Sequence, residues 1–343
     1  MRNGITSGLL LAGLAAATFG MSGAIVKPLL ESGWSPVAAV SARAMVGGVL
    51  LLPSALLALR GRWSVVWEAR WRLLGMALVG VAGTQVLYFA AIQRIPVSVG
   101  ILVEYLAPVL LVLVQWATTR RAPAAVVLVG SALAVSGLTL VVAPGASEHF
   151  DTVGLLLALI AMTGCAGYYV IAARPSRGLP AMALASGGLL IGGLTLGAIG
   201  ASGLLPFAVS VADVSLFGGT APWWLPLLLL GLFATAIGYA SSLAATALLG
   251  SRLASFVGLL EVVAASLYAW LLLGEQLGVV QVLGGLLILG GIVLVRADAP
   301  AGDSALTPSR ASEHRGESLD LASGRQAGQI AAVPGDGTAR LEG

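Results

Sequence analysis

This chain is short of the residues that carry most enzyme chemistry. It has one cysteine, Cys165, two histidines, His149 and His314, and only 10% charged residues among 343. A lone cysteine inside an apolar run excludes an intramolecular disulfide and a multi-cysteine metal site. The histidines fall in a loop and in the C-terminal tail, so neither serves an apolar interior. No glycine run is followed by the Lys-Ser/Thr of a nucleotide-binding loop. GGLLIGG (187–193) and GGLLILGG (284–291) read instead as seams where helices pack closely. A net charge of +3 is too small to argue for nucleic acid. No metal and no cofactor is implied.

What the chain has is apolar surface. It is 58% hydrophobic with a mean hydropathy of +0.98. A soluble domain carries about 25% charged residues, so this chain cannot cover a globule with polar groups, and the lipid bilayer becomes its solvent. Its 46 glycines suit helices that approach closely in lipid. Apolar runs read as spans near 5–26, 36–59, 72–93, 96–118, 123–143, 152–173, 180–204, 223–247, 253–273 and 277–295. The expected fold is therefore an all-α integral membrane protein of ten transmembrane helices. The first run is read as an uncleaved helix; the alternative is a signal peptide cut near Ala15 to Ala17. Residues 297–343 are polar and rich in Ser, Gly and charge, which is the composition of a disordered tail.

Arginines set the orientation. With the N-terminus inside, the inner segments hold Arg2, Arg60, Arg62, Arg70, Arg72, Arg120, Arg121, Arg174, Arg177, Arg252 and Arg296, eleven in all, against Lys27 and Arg94 outside. The outer segments also collect Glu148, Asp151, Asp213 and Glu275. Both termini are expected in the cytoplasm.

A repeat lies under this pattern. Shifting 116–142 by 154 residues puts Trp116 on Trp270, Gly130 on Gly284, Gly137 on Gly291 and Pro108 on Val262. With a three-residue slip, Gly80 falls on Gly231 and Tyr88 on Tyr239. The halves are read as 1–145 and 146–296, five helices each. An odd number of crossings makes two such halves lie inverted, a plan common in secondary transporters. Arg121 falling on Glu275 agrees, since one slot would lie inside and the other outside.

These residues carry a resemblance. FGMSGAIVKPLLESGWSPVAAVSARAMVGGVLLL resembles the first two helices of the EamA family of the drug/metabolite transporter (DMT) superfamily, with Lys27 and Arg43 at charged positions often seen there. The stretch from Gly231 to Val295 resembles the last helices of the second EamA repeat, including its Gly274–Glu275. The chain departs from the family at Arg120–Arg121, where an acidic-basic pair is usual, and at Val262, where Pro is usual. IPVSVGILVEYLAPVLLVL is also similar to the fourth helix of the threonine/homoserine exporter branch, with Glu104 four residues before Pro108. That similarity implies an inner-membrane exporter of amino acids or related metabolites.

Three charges lie inside the expected spans: Arg43, Glu104 and Glu261. A charge there costs ~2.5–3.5 kcal/mol on insertion scales, so each is a candidate functional residue. At 1.5 Å per residue, Arg43 and Glu104 both lie roughly 10–12 Å from the outer face, and Glu261 at a mirrored depth from the inner one. Arg43 and Glu104 can therefore meet. One reading is an ion pair joining two helices. The other is a split substrate site, with Arg43 forking a carboxylate and Glu104 taking an ammonium group or a proton. Glu261 reads either as an acid bonding a neighbouring helix or as a second proton site. Lys27 reads as a side chain snorkelling to the outer interface. Gln85, Tyr88 and Tyr239 are cavity candidates, with belt aromatics as the alternative for the tyrosines. Tyr168, Tyr169, Trp116 and Trp270 are weaker candidates.

The function expected is a proton-coupled secondary exporter of a zwitterionic or amphipathic metabolite. Facilitated diffusion, multidrug efflux and a non-transporting membrane sensor are the alternatives. An enzyme is not expected.

Overall fold

The computed structural model describes residues 2–120, 122–142, 151–173, 178–258, 260–276 and 278–297. All of the expected tail except Ala297 lies outside the described residues, as do Arg121, Glu148, His149, Arg174, Arg177 and His314.

Helices form nearly everything described. They are α1 (Arg2–Glu31), α2 (Pro36–Leu59), α3 (Trp63–Glu68), α4 (Arg70–Gly75), α5 (Thr84–Ile92), α6 (Val97–Glu104), α7 (Ala107–Thr119), α8 (Ala125–Val142), α9 (Thr152–Ala173), α10 (Ala181–Ala201), α11 (Trp224–Gly231), α12 (Gly238–Gly258), α13 (Leu260–Leu273) and α14 (Val279–Ala297). Two π-helical segments, Met76–Gly83 and Leu232–Ile237, join α4 to α5 and α11 to α12. Among the described residues, six helical stretches are long and apolar enough to cross a membrane: Ile5–Glu31, Pro36–Leu59, Arg70–Ile92, Val97–Thr119, Ala181–Ala201 and Trp224–Thr246. The other four expected spans are shorter apolar helices within the described residues.

Four expectations change here. The break expected between 223–247 and 253–273 is absent, because α12 continues through residue 252 to Gly258 and the next helix starts at Leu260. The run 96–118 is two helices, because Tyr105 and Leu106 form a turn. Pro108 has no N–H to give the Glu104 carbonyl, which removes the bond that would carry the helix through. The first helix runs past 26 to Glu31, so Lys27 lies within it rather than at its end. The fold is mostly helical rather than all-α, since β1 (Val214–Leu216) and β2 (Gly219–Ala221) pair as an antiparallel hairpin. Phe217 and Gly218 turn that hairpin at positive φ, 53° and 83°.

The repeat is visible in where helices end. α6, α7 and α8 reach Glu104, Thr119 and Ala125 at their respective end, end and start; α12, α13 and α14 have the same boundaries 154 residues on, at Gly258, Leu273 and Val279. Arg120 and Gly274, matched by the same shift, both take positive φ just past α7 and α13, the left-handed cap common at helix ends. Among the described residues each half also carries one π-helical segment. Thr84 Oγ1 donates to the Val79 carbonyl at 2.7 Å and Thr235 Oγ1 to the Leu230 carbonyl at 2.9 Å. These are equivalent bonds, five residues back, 151 residues apart. They match the slip that pairs Tyr88 with Tyr239.

The glycine seams pack the halves against each other. A Cβ on Gly137 would lie 2.5 Å from the Gly284 carbonyl oxygen, and one on Gly291 would strike the Gly130 carbonyl oxygen. So Gly137 faces the repeat mate of Gly130, and Gly291 faces Gly130 itself. The contact is reciprocal, and α8 runs antiparallel to α14. Gly47 lets α2 meet Thr235 in the second π segment, while Gly192 lets α10 meet Ala77 and Val81 in the first.

Two ends of the bundle differ. At one, residues 204–222 strap across the α1–α2 turn. Ser35 caps α2 by accepting from Ala38 N at 3.2 Å, and its hydroxyl also accepts from Ala208 N at 3.1 Å. Trp34 donates to the Ser210 carbonyl at 2.7 Å and stacks on Trp223. We call this the strap end. The opposite end carries Arg60, Arg62, Arg70 and Arg72, where Leu59, Leu73, Leu179 and Leu184 form a small separate core.

Candidate functional site

Arg43 lies one-third of the way along α2, only 8% exposed. A buried guanidinium must be hydrogen-bonded or paired to be tolerated. Its Nε donates to Thr235 Oγ1 at 3.2 Å, and Nη1 donates to Ser22 Oγ at 2.9 Å and to Gln85 Oε1 at 2.8 Å. Its Cζ lies 5.6 Å from the Phe89 ring centroid, within cation–π range. Four segments therefore converge on one side chain: α1, α5, the second π segment and α2 itself. Thr235 can accept from Arg43 because it spends its own proton on Leu230, and the widened π turn makes that reach possible.

Of the two readings of Arg43 and Glu104, the direct ion pair is not formed. Among the described residues the ion pairs are Lys27–Glu275 and Arg94–Asp151, each 2.9 Å. Arg43 is held by neutral dipoles, and its Nη2 has no hydrogen-bond partner among the described residues. Tyr105, next to Glu104, bonds Glu261, and the Glu261 backbone packs on Gly20 of α1, two residues from the Ser22 that binds Arg43. So Arg43 and both carboxylates do share one region, at a distance longer than direct contact.

Glu104 ends α6, with Val97–Val103 before it fully buried. It is itself half-buried and has no hydrogen-bond partner among the described residues. Glu261 is in the first turn of α13 and accepts from Tyr105 Oη at 2.6 Å. Gly20 of α1 packs on the Glu261 backbone. Tyr88 is 5% exposed, so it is an interior residue rather than a belt aromatic, and its hydroxyl lies against Gly23. Tyr239 is half-buried, edge-on to Phe19 at 5.3 Å.

Ser22, Thr235, Phe89 and Tyr105 were not among the residues picked out from sequence. Thr235 had a signal, since the slip that matches the tyrosines also matches Thr84 with Thr235. Ser22, Phe89 and Tyr105 had none, because a hydroxyl or ring in an apolar helix is ordinary.

Lys27 does not snorkel. It pairs with Glu275, and Glu275 also accepts from Val97 N at 3.0 Å, Ser98 N at 3.3 Å and Ser98 Oγ at 3.1 Å. A carboxylate thus caps the start of α6 from the far half of the chain, where unpaired N–H groups and the helix dipole favour it. Arg94 and Asp151 pair nearby, and Asp151 accepts from Gly154 N at 3.0 Å. A cavity of about 550 Å³ opens at this strap end among Trp34, Gln93, Arg94, Val153 and Leu205. Its lining does not include Arg43, Glu104 or Glu261.

The sequence model of the EamA-like transporter family matches residues 6–143 and 152–297, one match per half. A Bacillus subtilis (strain 168) protein named uncharacterized transporter YwfM is 27% identical over 295 residues, covering 83% of this chain and 92% of that protein. A protein of known crystal structure, 20% identical, shares the fold with a TM-score of 0.56 over 84% of this chain and 97% of its own. With both halves matched, the chain belongs to the EamA-like transporter family of the DMT superfamily, a membrane transporter built from two EamA repeats.

Proposed function

We propose that this transporter exports a small zwitterionic metabolite, an amino acid or a close relative, across the bacterial inner membrane in exchange for protons. The observation that carries the reading is the open cation. Among the described residues, buried Arg43 has no ion-pair partner, its Nη2 has no hydrogen-bond partner, and Glu104 nearby has no hydrogen bond. A substrate carboxylate would complete the guanidinium fork. Its ammonium group would take Glu104, and Gln85, Tyr88 and Tyr239 would line the remainder. An acid with no partner among the described residues can hold a proton in one state and a substrate ammonium in the other. Glu261, already bonded to Tyr105, is the second proton site.

In this reading all ten apolar helices cross the bilayer, the halves 1–145 and 146–296 are inverted, and both termini are cytoplasmic. The reciprocal α8–α14 contact favours inversion, since antiparallel mates of one repeat related by a two-fold axis meet in that way. Access alternates by rocking of the halves about Arg43. The likeness of Glu104 and Pro108 to the threonine/homoserine exporter branch points to the substrate class.

A second reading, efflux of cationic amphiphiles, is favoured by the rings of Phe19, Tyr88, Phe89 and Tyr239 beside two carboxylates. Flux of a metabolite panel into inverted vesicles or proteoliposomes, with and without a pH gradient, separates the two. The zwitterion reading expects amino-acid flux that Glu104→Gln uncouples from the gradient. Full gradient-driven flux in Glu104→Gln would end the coupling role, and flux of lipophilic cations alone would favour the second reading.

A further inference from the structure

At the arginine-rich end, α3 and α4 carry a face the transport site does not use. Trp63, Trp67 and Trp71 recur every four residues and are 60%, 72% and 72% exposed. That spacing puts them along one side of a helical stretch. The other side, Val65, Val66 and Ala69, packs against the small core of Leu59, Leu73 and Leu179. The tryptophans therefore face away from the protein. Around them stand Arg60 and Arg62, exposed, and Arg70, half-buried, against one nearby acid, Glu68. Arg70 is built into the face. Its Cζ lies 4.9 Å from the Trp67 ring centroid and 5.7 Å from that of Trp71, and Nη1 donates to the Trp67 carbonyl at 3.0 Å. Among the described residues its Nε and Nη2 have no hydrogen-bond partner.

We propose that this face is a seat for the headgroup of an anionic phospholipid. Tryptophan favours the level of the headgroups, where its ring is shielded and its N–H remains wet. Stacking holds the Arg70 guanidinium flat, leaving an edge of N–H groups for phosphate oxygens. Arg60 and Arg62 supply the further positive charge that distinguishes an anionic lipid from a zwitterionic one. Which leaflet the lipid occupies rests on the orientation proposed above; the seat itself does not.

The test uses the full chain in nanodiscs of fixed size, with brominated phosphatidylglycerol or brominated phosphatidylcholine as the quencher of tryptophan fluorescence. The wild type is expected to be quenched more strongly by the anionic lipid at equal mole fraction. Arg60→Gln/Arg62→Gln/Arg70→Gln should remove that preference, with roughly fivefold loss of selectivity per arginine. Trp63→Leu/Trp67→Leu/Trp71→Leu should remove the excess quenching by the anionic lipid, leaving the other five tryptophans quenched equally by both lipids. Equal quenching of the wild type by both lipids would overturn the proposal, as would an undiminished preference in the arginine variant. Retention of phosphatidylglycerol in native mass spectrometry provides the second readout, and circular dichroism confirms that each variant is folded. Because both faces of a nanodisc carry the same lipid, failure here leaves the orientation and the transport reading untouched; those are tested by terminal reporters and by flux.

Discussion

Arg43 is stabilised by three side chains that are each neutral, and each can be removed without changing charge. Thr235→Val keeps the shape but leaves Arg43 Nε without its acceptor. Stranding a buried donor costs about 1–3 kcal/mol, so thermal unfolding should fall accordingly, and the KM for substrate should rise as the guanidinium loses its set position. Arg43→Lys should cost more in transport than in folding. A lysine offers one point charge where Arg43 fixes Thr235, Ser22 and Gln85 with two nitrogens and leaves the third open. A loss of about tenfold or more in kcat/KM is expected, equivalent to one charge-assisted hydrogen bond. Unchanged kcat/KM would remove Arg43 from the substrate site. The sequence marked Arg43 because a charge in an apolar helix stands out. It did not reveal the partners, since serine and threonine in apolar helices more often bond their own backbone, as Thr18 does to Leu14.

Between helices, small residues decide what fits. Gly137→Ala would press a methyl group into the Gly284 carbonyl and the Ile288 amide nitrogen, at 2.5 and 2.8 Å, both rigid backbone. Overpacking of this kind costs about 1–3 kcal/mol. Gly290→Ala, on the same α14 with nothing within 4 Å of its new methyl group, should be neutral. Thermal unfolding of the two variants in one detergent compares them directly. At the start of α9, Asp151 accepts from Gly154 N, and this bond first, then Arg94, holds its carboxyl below the ordinary value of 3.8. A depressed folded-state value means that the stabilisation is present above pH 3.8 and is lost as pH falls through the lower folded value. The melting gap between wild type and Asp151→Ala should therefore be open at neutral pH and close in acid. The group is exposed, so salt should narrow the gap as well. The repeat shift of 154 residues, legible from Gly130, Gly137 and the two tryptophans, anticipated the matched boundaries of α7 and α13. The π segments were not legible, because one extra residue per turn leaves the composition of an apolar run unchanged.

For the molecule as a whole, Glu275 fastens the end of the second repeat to α1 and to the first turn of α6 in the first. Charge alone does not make this joint. Glu275→Lys with Lys27→Glu restores an ion pair but leaves Val97 N and Ser98 N without an acceptor, so the double swap should not rescue stability. Hydrogen exchange in the peptide spanning 94–100 should quicken in Glu275→Ala, while peptides in the α8–α14 seam keep their protection. Equal protection at 94–100 would mean that the capping bonds are not made in the membrane. The same joint refines the charge asymmetry of the chain. Lys27 and Arg94, the two basic residues expected outside, are each neutralised by an acid, so among the described residues the strap end is left with the exposed acids Glu31 and Asp213. The other end keeps its arginines.

Composition, charge and residue spacing by themselves determined that this chain lives in lipid, that it is helical, that it repeats, and that Arg43, Glu104 and Glu261 stand as charges in its apolar runs. Those properties follow from solvation, which is additive along a sequence: each apolar run and each misplaced charge counts wherever its neighbours lie. Only the tertiary structure decided that Arg43 binds Ser22, Gln85 and Thr235 rather than Glu104, that Tyr105 reaches Glu261, and that Lys27 and Glu275 meet across 248 residues of chain. Hydrogen bonds and ion pairs are short and directional, so they depend on where packing sets each backbone to within an ångström or so, and in lipid that packing is set by glycine contacts between helices far apart in the chain.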